Sequence, residues 1–256
     1  MNLELQDKVA FVAGSSRGIG LAIARGFLKE GARVIITGRD DKSLSAAAEE
    51  LIEWKTQLLT LKCDLMREEE IQRVLSITRN TFGEINCLIA NIGSGRGEGG
   101  SIPDPSEWQR LMDLNLNASV RMISTVLPAM IQAKSGSVVI VNSIAGMEAS
   151  PAPLPYSAAK AALWNYAKNL SRRVAVDGIR INSVAPGNVL FPGGSWEKHL
   201  EMRKAEVEEY IQKEVPMQRF GSPDEIADSV VFLCSPRASF ITGACLVADG
   251  GQNRAQ

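Results

Sequence analysis

Tyr156 and Lys160 lie four residues apart in Tyr156-Ser157-Ala158-Ala159-Lys160, so on a helix they share one face. A free phenol titrates near about 10 and is a poor acid or base at neutral pH. A lysine cation beside it stabilises the phenolate and lowers that value, which makes the pair a candidate for general acid–base work. The same spacing also suits an ordinary pair on a helix surface. Tyr166 and Tyr210 do not repeat it, since Leu170 and Glu214 follow them four residues on. Other acid–base groups are scarce. His199 is the only histidine, and Cys63, Cys87, Cys234 and Cys245 form no CxxC pair. A zinc centre needs several such ligands at close spacing, so no metal is expected. The cysteines read as buried free thiols in a reducing compartment.

The second constellation is Gly14-Ser15-Ser16-Arg17-Gly18-Ile19-Gly20, between a short apolar run and a helical stretch. Glycines allow a sharp turn and a close approach of ligand to backbone. The helix start adds free N–H groups and the positive dipole end, which suit a pyrophosphate. The spacing is G-x3-G-x-G, not the usual G-x-G-x-x-G dinucleotide fingerprint. Arg39 stands 19 residues past Gly20, where an NAD-binding chain carries an acid for the ribose 2′-hydroxyl; an arginine there suits a 2′-phosphate. Arg17 is a second cation able to converge on that dianion. NADP is therefore the expected cofactor. Asp40 and Asp41 fit the opening of the next helix. Gly14-Ser15-Ser16-Arg17-Gly18 also fits the G-x-S-x-G elbow of serine hydrolases, with Ser16 as nucleophile. That reading needs His199 as base and an earlier strand and loop for the oxyanion hole, and only 13 residues precede the motif.

The elements that must position these groups alternate along the chain. Short β-branched runs occur at Val9–Val12, Val34–Ile36, Leu58–Leu61, Cys87–Ala90, Val138–Val141, Ile179–Val184 and Cys245–Val247. Between them, patterns of helical period cover Gly18–Glu30, Lys42–Glu53, Glu68–Thr81, Glu107–Gln132, Tyr156–Val176 and Pro223–Leu233. This alternation predicts an α/β, doubly wound parallel sheet with helices on both faces. No linker divides the 256 residues, so 1–256 reads as one domain. Two stretches break the pattern: the glycine-rich 93–101 and the insertion 188–216, whose middle, Trp196–Glu214, is charged and helical in pattern. Both follow strand C-termini, the edge where such sheets bind ligands. With five glycines in one and little apolar surface in the other, both are expected to be mobile and to close over substrate. Ser222-Pro223-Asp224-Glu225 reads as a capping box, and Pro151, Pro153 and Pro155 as a stiff spacer before Tyr156.

Composition removes other classes. With 28 basic and 29 acidic side chains the formal charge is -1, which gives no field for nucleic acid. No apolar run reaches membrane-spanning length, so no membrane partner is expected. The opening MNLELQDKV lacks the features of a secretory leader, so a cytoplasmic location is expected.

Ser143 lies 13 residues before Tyr156, and Asn115 lies in the preceding helical stretch. Together with Gly14-x3-Gly18-Ile19-Gly20, Cys63-Asp64-Leu65, Ala90-Asn91-Ile92-Gly93, Tyr156-x3-Lys160 and Pro186-Gly187, they make a sequence that resembles the short-chain dehydrogenase/reductase family from the first strand to Asp249-Gly250-Gly251. The resemblance implies a Rossmann-type seven-stranded sheet in the order 3-2-1-4-5-6-7. It implies that Tyr156 gives a proton to a carbonyl oxygen and Ser143 hydrogen-bonds that oxygen. Lys160 would hold the nicotinamide ribose and depress the Tyr156 pKa, and Asn115 would anchor a water linking Lys160 to solvent. The cofactor would be bounded by Gly14, Ser15, Ser16, Arg17, Gly18, Ile19, Gly20, Arg39, Asp64, Leu65, Asn91, Gly93, Pro186, Gly187 and Val189, with Asp64 at adenine and Asn91 at the adenosine ribose. Three positions depart from the family pattern: Ala13 and Ile92 replace a threonine and an alanine, and Asn188-Val189-Leu190-Phe191 lacks the usual threonine. The implied activity is NADP(H)-dependent reduction of a small-molecule carbonyl, similar to 3-oxoacyl-carrier-protein reductases. The alternatives are oxidoreduction of a sugar, with Arg96 and Glu148 in a polar pocket, and a non-catalytic NADP-binding scaffold. The segment 239–251 resembles the part through which such chains assemble as dimers or tetramers.

Overall fold

The computed structural model describes residues 2–97 and 102–255. Its strands are β1 (Val9–Val12), β2 (Arg33–Gly38), β3 (Leu58–Lys62), β4 (Cys87–Ala90), β5 (Gly136–Val141), β6 (Ile179–Pro186) and β7 (Cys245–Ala248). They form one parallel sheet in the order β3-β2-β1-β4-β5-β6-β7. The expected order and handover between strands and helices are therefore found. A parallel sheet covered on both faces calls for strands apolar on both sides, and the burial follows. Ala10 and Val12 of β1 join one core cluster, while Val9 and Phe11 join the other.

The helices are α1 (Gly18–Lys29), α2 (Asp41–Glu50), α3 (Glu68–Phe82), α4 (Pro105–Met112), α5 (Ala118–Ala133), α6 (Leu154–Val174), α7 (Ser195–Glu214) and α8 (Pro223–Cys234). Residues of α1, α2 and α8 build the first core, and residues of α3, α5 and α6 the second. Asp40 caps α2 by accepting from Ser43 N at 2.8 Å. The capping box at α8 forms in both directions, between Ser222 and Glu225.

Two helices differ from the periodic reading. Glu107–Gln132 is not one helix. A π-helical turn, Asp113–Asn117, separates α4 from α5. The extra residue in that turn rotates Asn115 inward, where it is fully buried. The second difference is in α7, which is broken at Arg203 (φ -153°, ψ 58°). Trp196 and Tyr210 would be roughly 21 Å apart along a straight helix. Their rings instead stack with centroids 5.6 Å apart, so α7 doubles back on itself.

Candidate active site

The expected catalytic and cofactor-contacting residues lie at or just past the carboxyl end of a strand, except those on α6 and in the π-turn. The glycine turn follows β1, Arg39 follows β2, Asp64 and Leu65 follow β3, and Asn91 and Gly93 follow β4. Ser143 follows β5, and Pro186 ends β6 ahead of Gly187 and Val189. Parallel pairing forces this, because all strands then end at the same edge.

The glycine turn is built by its neighbours. Gly14 (φ +61°) and Gly18 (φ +56°) take left-handed conformations that side chains disfavour. Ser15 is fully buried. Its hydroxyl donates to Val12 O at 2.6 Å and accepts from Thr37 N at 2.9 Å, and its own N–H goes to Thr37 O. The side chain of Ser15 is thus a tie between β1 and β2. Asn91 Nδ2 likewise donates to Gly14 O (3.0 Å) and Ala13 O (3.3 Å), so its amide nitrogen supports the turn. Asp64 accepts from Met66 N at 3.1 Å, and Leu65 is buried beneath.

These residues fit a dinucleotide phosphate. Among the described residues, α1 starts with no side-chain cap and no acid in its first turn, which leaves its N–H groups and dipole facing outward. The acids beside Arg39 are committed: Asp40 to the α2 cap and Asp41 to Lys62 at 2.5 Å. Arg39 itself is exposed, and no described carboxylate pairs with it.

The acid–base centre is assembled by α6, the β5 end and the π-turn. Lys160 is buried, and its Nζ donates to Val141 O at 2.9 Å. It sits 5.8 Å from the centroid of the Tyr156 ring, over its face. Gly146 lets the loop after Ser143 lie flat on α6, where a Cβ would come 2.6 Å from Lys160 C. Ser143 accepts from Ala145 N at 3.2 Å and hydrogen-bonds the Tyr156 side chain. Asn115 accepts from Ser94 N (2.8 Å) and donates to Ser94 O (3.2 Å) and Leu111 O (3.0 Å). Gly93 is where Asn115 and Lys160 meet: a Cβ there would lie 2.7 Å from Asn115 Oδ1 and 3.4 Å from Lys160 Nζ.

The electrostatics correct one expectation. Burial raises the Tyr156 pKa above its ordinary value, and the Ser143 hydrogen bond opposes this only in part. The expected net depression by Lys160 is therefore not found: burial outweighs it, although the ammonium lies over the ring. Burial also lowers the Lys160 pKa from 10.5 to about 8.

The two loops meet over the site. Gly95 lies above Tyr156, with 3.8 Å between its would-be Cβ and Cζ. Arg96 donates to Gly193 O at 2.5 Å, and Arg17 donates to the same oxygen at 2.9 Å. Phe191, in the segment that lacks the family's usual threonine, packs its ring on Gly18 and against Gly194. Residues 98–101 of the first loop lie outside the described residues.

The second loop has more apolar anchorage than its charge pattern suggests. Trp196 contacts His199, Tyr210 and Phe220, and Val207, Ile211 and Val215 are buried. The hydrolase arrangement is not assembled: His199 lies edge-on to Trp196, and among the described residues no hydrogen bond joins it to Ser16. Among the described residues no three His, Cys, Asp or Glu side chains group as metal ligands, and no helix is long and apolar enough to cross a membrane. The sequence reading missed Ser94, whose backbone holds Asn115, and Gln252, which bonds Asn188 and Tyr210. Neither stands in a motif.

Comparison with known proteins extends these observations. Residues 13–253 match the profile of the family described as enoyl-(acyl carrier protein) reductase. Dehydrogenase/reductase SDR family member 4 of Oryctolagus cuniculus is 36% identical over 249 residues, covering 96% of this chain and 94% of that protein. The 3-oxoacyl-[acyl-carrier-protein] reductase FabG of Aquifex aeolicus is 32% identical over 252 residues, covering 98% and 99%. Among solved structures, L-sorbose reductase from Gluconobacter frateurii, complexed with NADPH and L-sorbose, superposes with a TM-score of 0.91 at 32% identity over all of both chains. Levodione reductase superposes with a TM-score of 0.92 at 28% identity, covering 99% and 100%.

Proposed function

Because this chain belongs to the short-chain dehydrogenase/reductase family, an oxidoreductase family, we propose that it is an NADP(H)-dependent carbonyl reductase with Tyr156 as its general acid. The observation that carries the proposal is the convergence of Tyr156, Ser143, Lys160 and Asn115 beside the glycine turn, with a phenol that burial keeps protonated at neutral pH. NADPH, when bound, supplies the hydride that reduces the carbonyl carbon. Gly14 to Gly20 and the start of α1 hold the pyrophosphate, Arg39 and Arg17 the 2′-phosphate. Asp64, Leu65 and Asn91 border the adenosine half. Gly93, Pro186, Gly187 and Val189 border the nicotinamide half.

Ser143 fixes the carbonyl oxygen by a hydrogen bond. As negative charge develops on that oxygen, the Tyr156 hydroxyl gives up its proton to it, and the Lys160 cation stabilises the phenolate left behind. Asn115 acts indirectly. It holds the Gly93-Ser94 backbone so that Lys160 has room, and it anchors the water through which the proton is replaced. A phenol that stays protonated is in the form needed to give a proton to the carbonyl oxygen during reduction.

The whole chain acts as one NADP-binding domain. The buried free thiols of Cys63, Cys87 and Cys234 suit a reducing cytoplasm. The edge strand β7, with Leu246 and the nearby Phe240 exposed, supports self-association as a dimer or tetramer.

A second reading, a sugar or polyol substrate, has support from Arg96 at the pocket mouth and from the L-sorbose reductase likeness. Turnover of NADPH with a panel of 3-oxoacyl thioesters, cyclic diketones and ketoses tests both. Absence of NADPH consumption with every ketone, or full activity in Tyr156→Phe, would refute the proposal.

A further inference from the structure

Three segments that border the pocket are bonded to one short stretch, residues 249–255. The Asp249 carboxylate folds this stretch by accepting from Gly251 N (2.8 Å) and Asn253 N (2.6 Å). The resulting turn presents the Gln252 side chain to two partners. Its Oε1 accepts from Asn188 Nδ2 at 2.8 Å, and its Nε2 donates to the Tyr210 hydroxyl at 3.0 Å. Asn188 directly follows Pro186-Gly187, and Tyr210 lies in the second half of α7, stacked on Trp196 of the first half. Gly187 makes the approach possible: a Cβ there would lie 2.7 Å from Asp249 Cβ and 3.2 Å from Gln252 Oε1. Two residues on, Arg254 N donates to Glu148 Oε2 and its guanidinium to Glu214 Oε2, both at 2.9 Å. The turn after β6, the second half of α7 and the loop after Ser143 are therefore tied to the same strap.

We propose that Gln252 is a positioning residue that couples the Pro186–Asn188 turn to α7, so that the wall beside the nicotinamide and the cover over the substrate move as one body. The inference rests on the catalytic reading above, in which Pro186, Gly187 and Val189 border the nicotinamide, and on the expected closure of 188–216 over substrate. An amide suits this role because its planar head carries a donor and an acceptor in fixed relation. It meets an amide donor on one side and a phenol oxygen on the other. The Trp196–Tyr210 stack then passes the constraint to the first half of α7, which has no buried aliphatic residue of its own.

Gln252→Leu removes both bonds, Gln252→Glu keeps an acceptor for each partner, and Tyr210→Phe removes the hydroxyl but keeps the stack on Trp196. Gln252→Leu should raise the KM for the best ketone about tenfold, with kcat and NADPH affinity changed by less than about threefold. Gln252→Glu should restore KM to within about threefold, and Tyr210→Phe should reproduce part of the loss without adding to Gln252→Leu. Without any ligand, Gln252→Leu should speed amide exchange about fivefold or more in both 187–191 and 195–214. Unchanged exchange in α7, losses that multiply in the double variant, or no rescue by Gln252→Glu would each overturn the proposal. Should Gln252→Leu not fold, Tyr210→Phe carries the same exchange test. A native protein with no NADPH-dependent turnover would refute the catalytic reading alone, and the exchange arm would still decide the coupling.

Discussion

Lys160 holds its ammonium over the face of the Tyr156 ring, 5.8 Å from the centroid, and donates to Val141 O instead of the phenol. The two residues therefore act on each other through a field and not through a shared proton. Each is shifted by burial in the direction of its neutral form.

The first prediction follows from those directions. Tyr156 stays protonated through the neutral range, and Lys160 is cationic below about 8 and neutral above it. The reductive kcat/KM should be flat at neutral pH and fall as pH rises through about 8, because the cation that stabilises the phenolate is lost. Tyr156→Phe should lower turnover by about 10² or more at every pH while NADPH still binds. A pH profile of kcat/KM for both proteins checks this.

The same lysine has a stability consequence. Its folded pKa, about 8, lies below the 10.5 of a lysine free in water. Between those values the unfolded chain binds more protons, so stability rises with pH across that window. Below about 8 the penalty for burying the cation is fully present. Lys160→Met should therefore stabilise the fold at pH 7 by up to about 3 kcal/mol, with the gain vanishing toward alkaline pH. Urea unfolding of both proteins over a pH series measures it.

Cofactor choice provides the third. Arg39 faces no described carboxylate, and the acids after it are occupied. NADPH should be preferred over NADH by about tenfold or more in kcat/KM, which is ~1.4 kcal/mol and within reach of one charge-assisted contact. Arg39→Asp should reverse the preference, and steady-state kinetics with both cofactors shows whether it does.

Gly93 gives the fourth. A methyl group at this position would lie 2.7 Å from Asn115 Oδ1 and 3.4 Å from Lys160 Nζ. Gly93→Ala should force Asn115 off Ser94, lower thermal stability by about 1–3 kcal/mol, and reduce kcat more than it raises the KM for NADPH. Calorimetry and initial-rate kinetics together separate the two effects.

The alternation of strand and helix, the parallel sheet and the carboxyl-edge location of the site were legible in the sequence. Covered parallel strands must be apolar runs, and their helices must carry a 3.6-residue stripe. Tyr156-x3-Lys160 and the glycine turn were legible because local spacing on one helix or one turn sets their geometry. Tertiary structure decided what depends on contacts distant in sequence. Periodicity could not show the π-turn at Asn115, since one extra residue leaves the apolar pattern on both sides intact. The fold of α7 at Arg203 lay hidden in a charged stretch, because ring stacking between Trp196 and Tyr210 sets it and not side-chain period. Ser15 read as a ligand contact by motif, but the strand pairing of β1 with β2 draws its hydroxyl into the sheet. The sign of the Tyr156 shift was likewise undetermined, because an i,i+4 spacing brings a lysine near without saying how far the phenol is desolvated by distant parts of the chain. Sequence fixes which groups are present and their local order; burial and long-range packing set their orientation and charge.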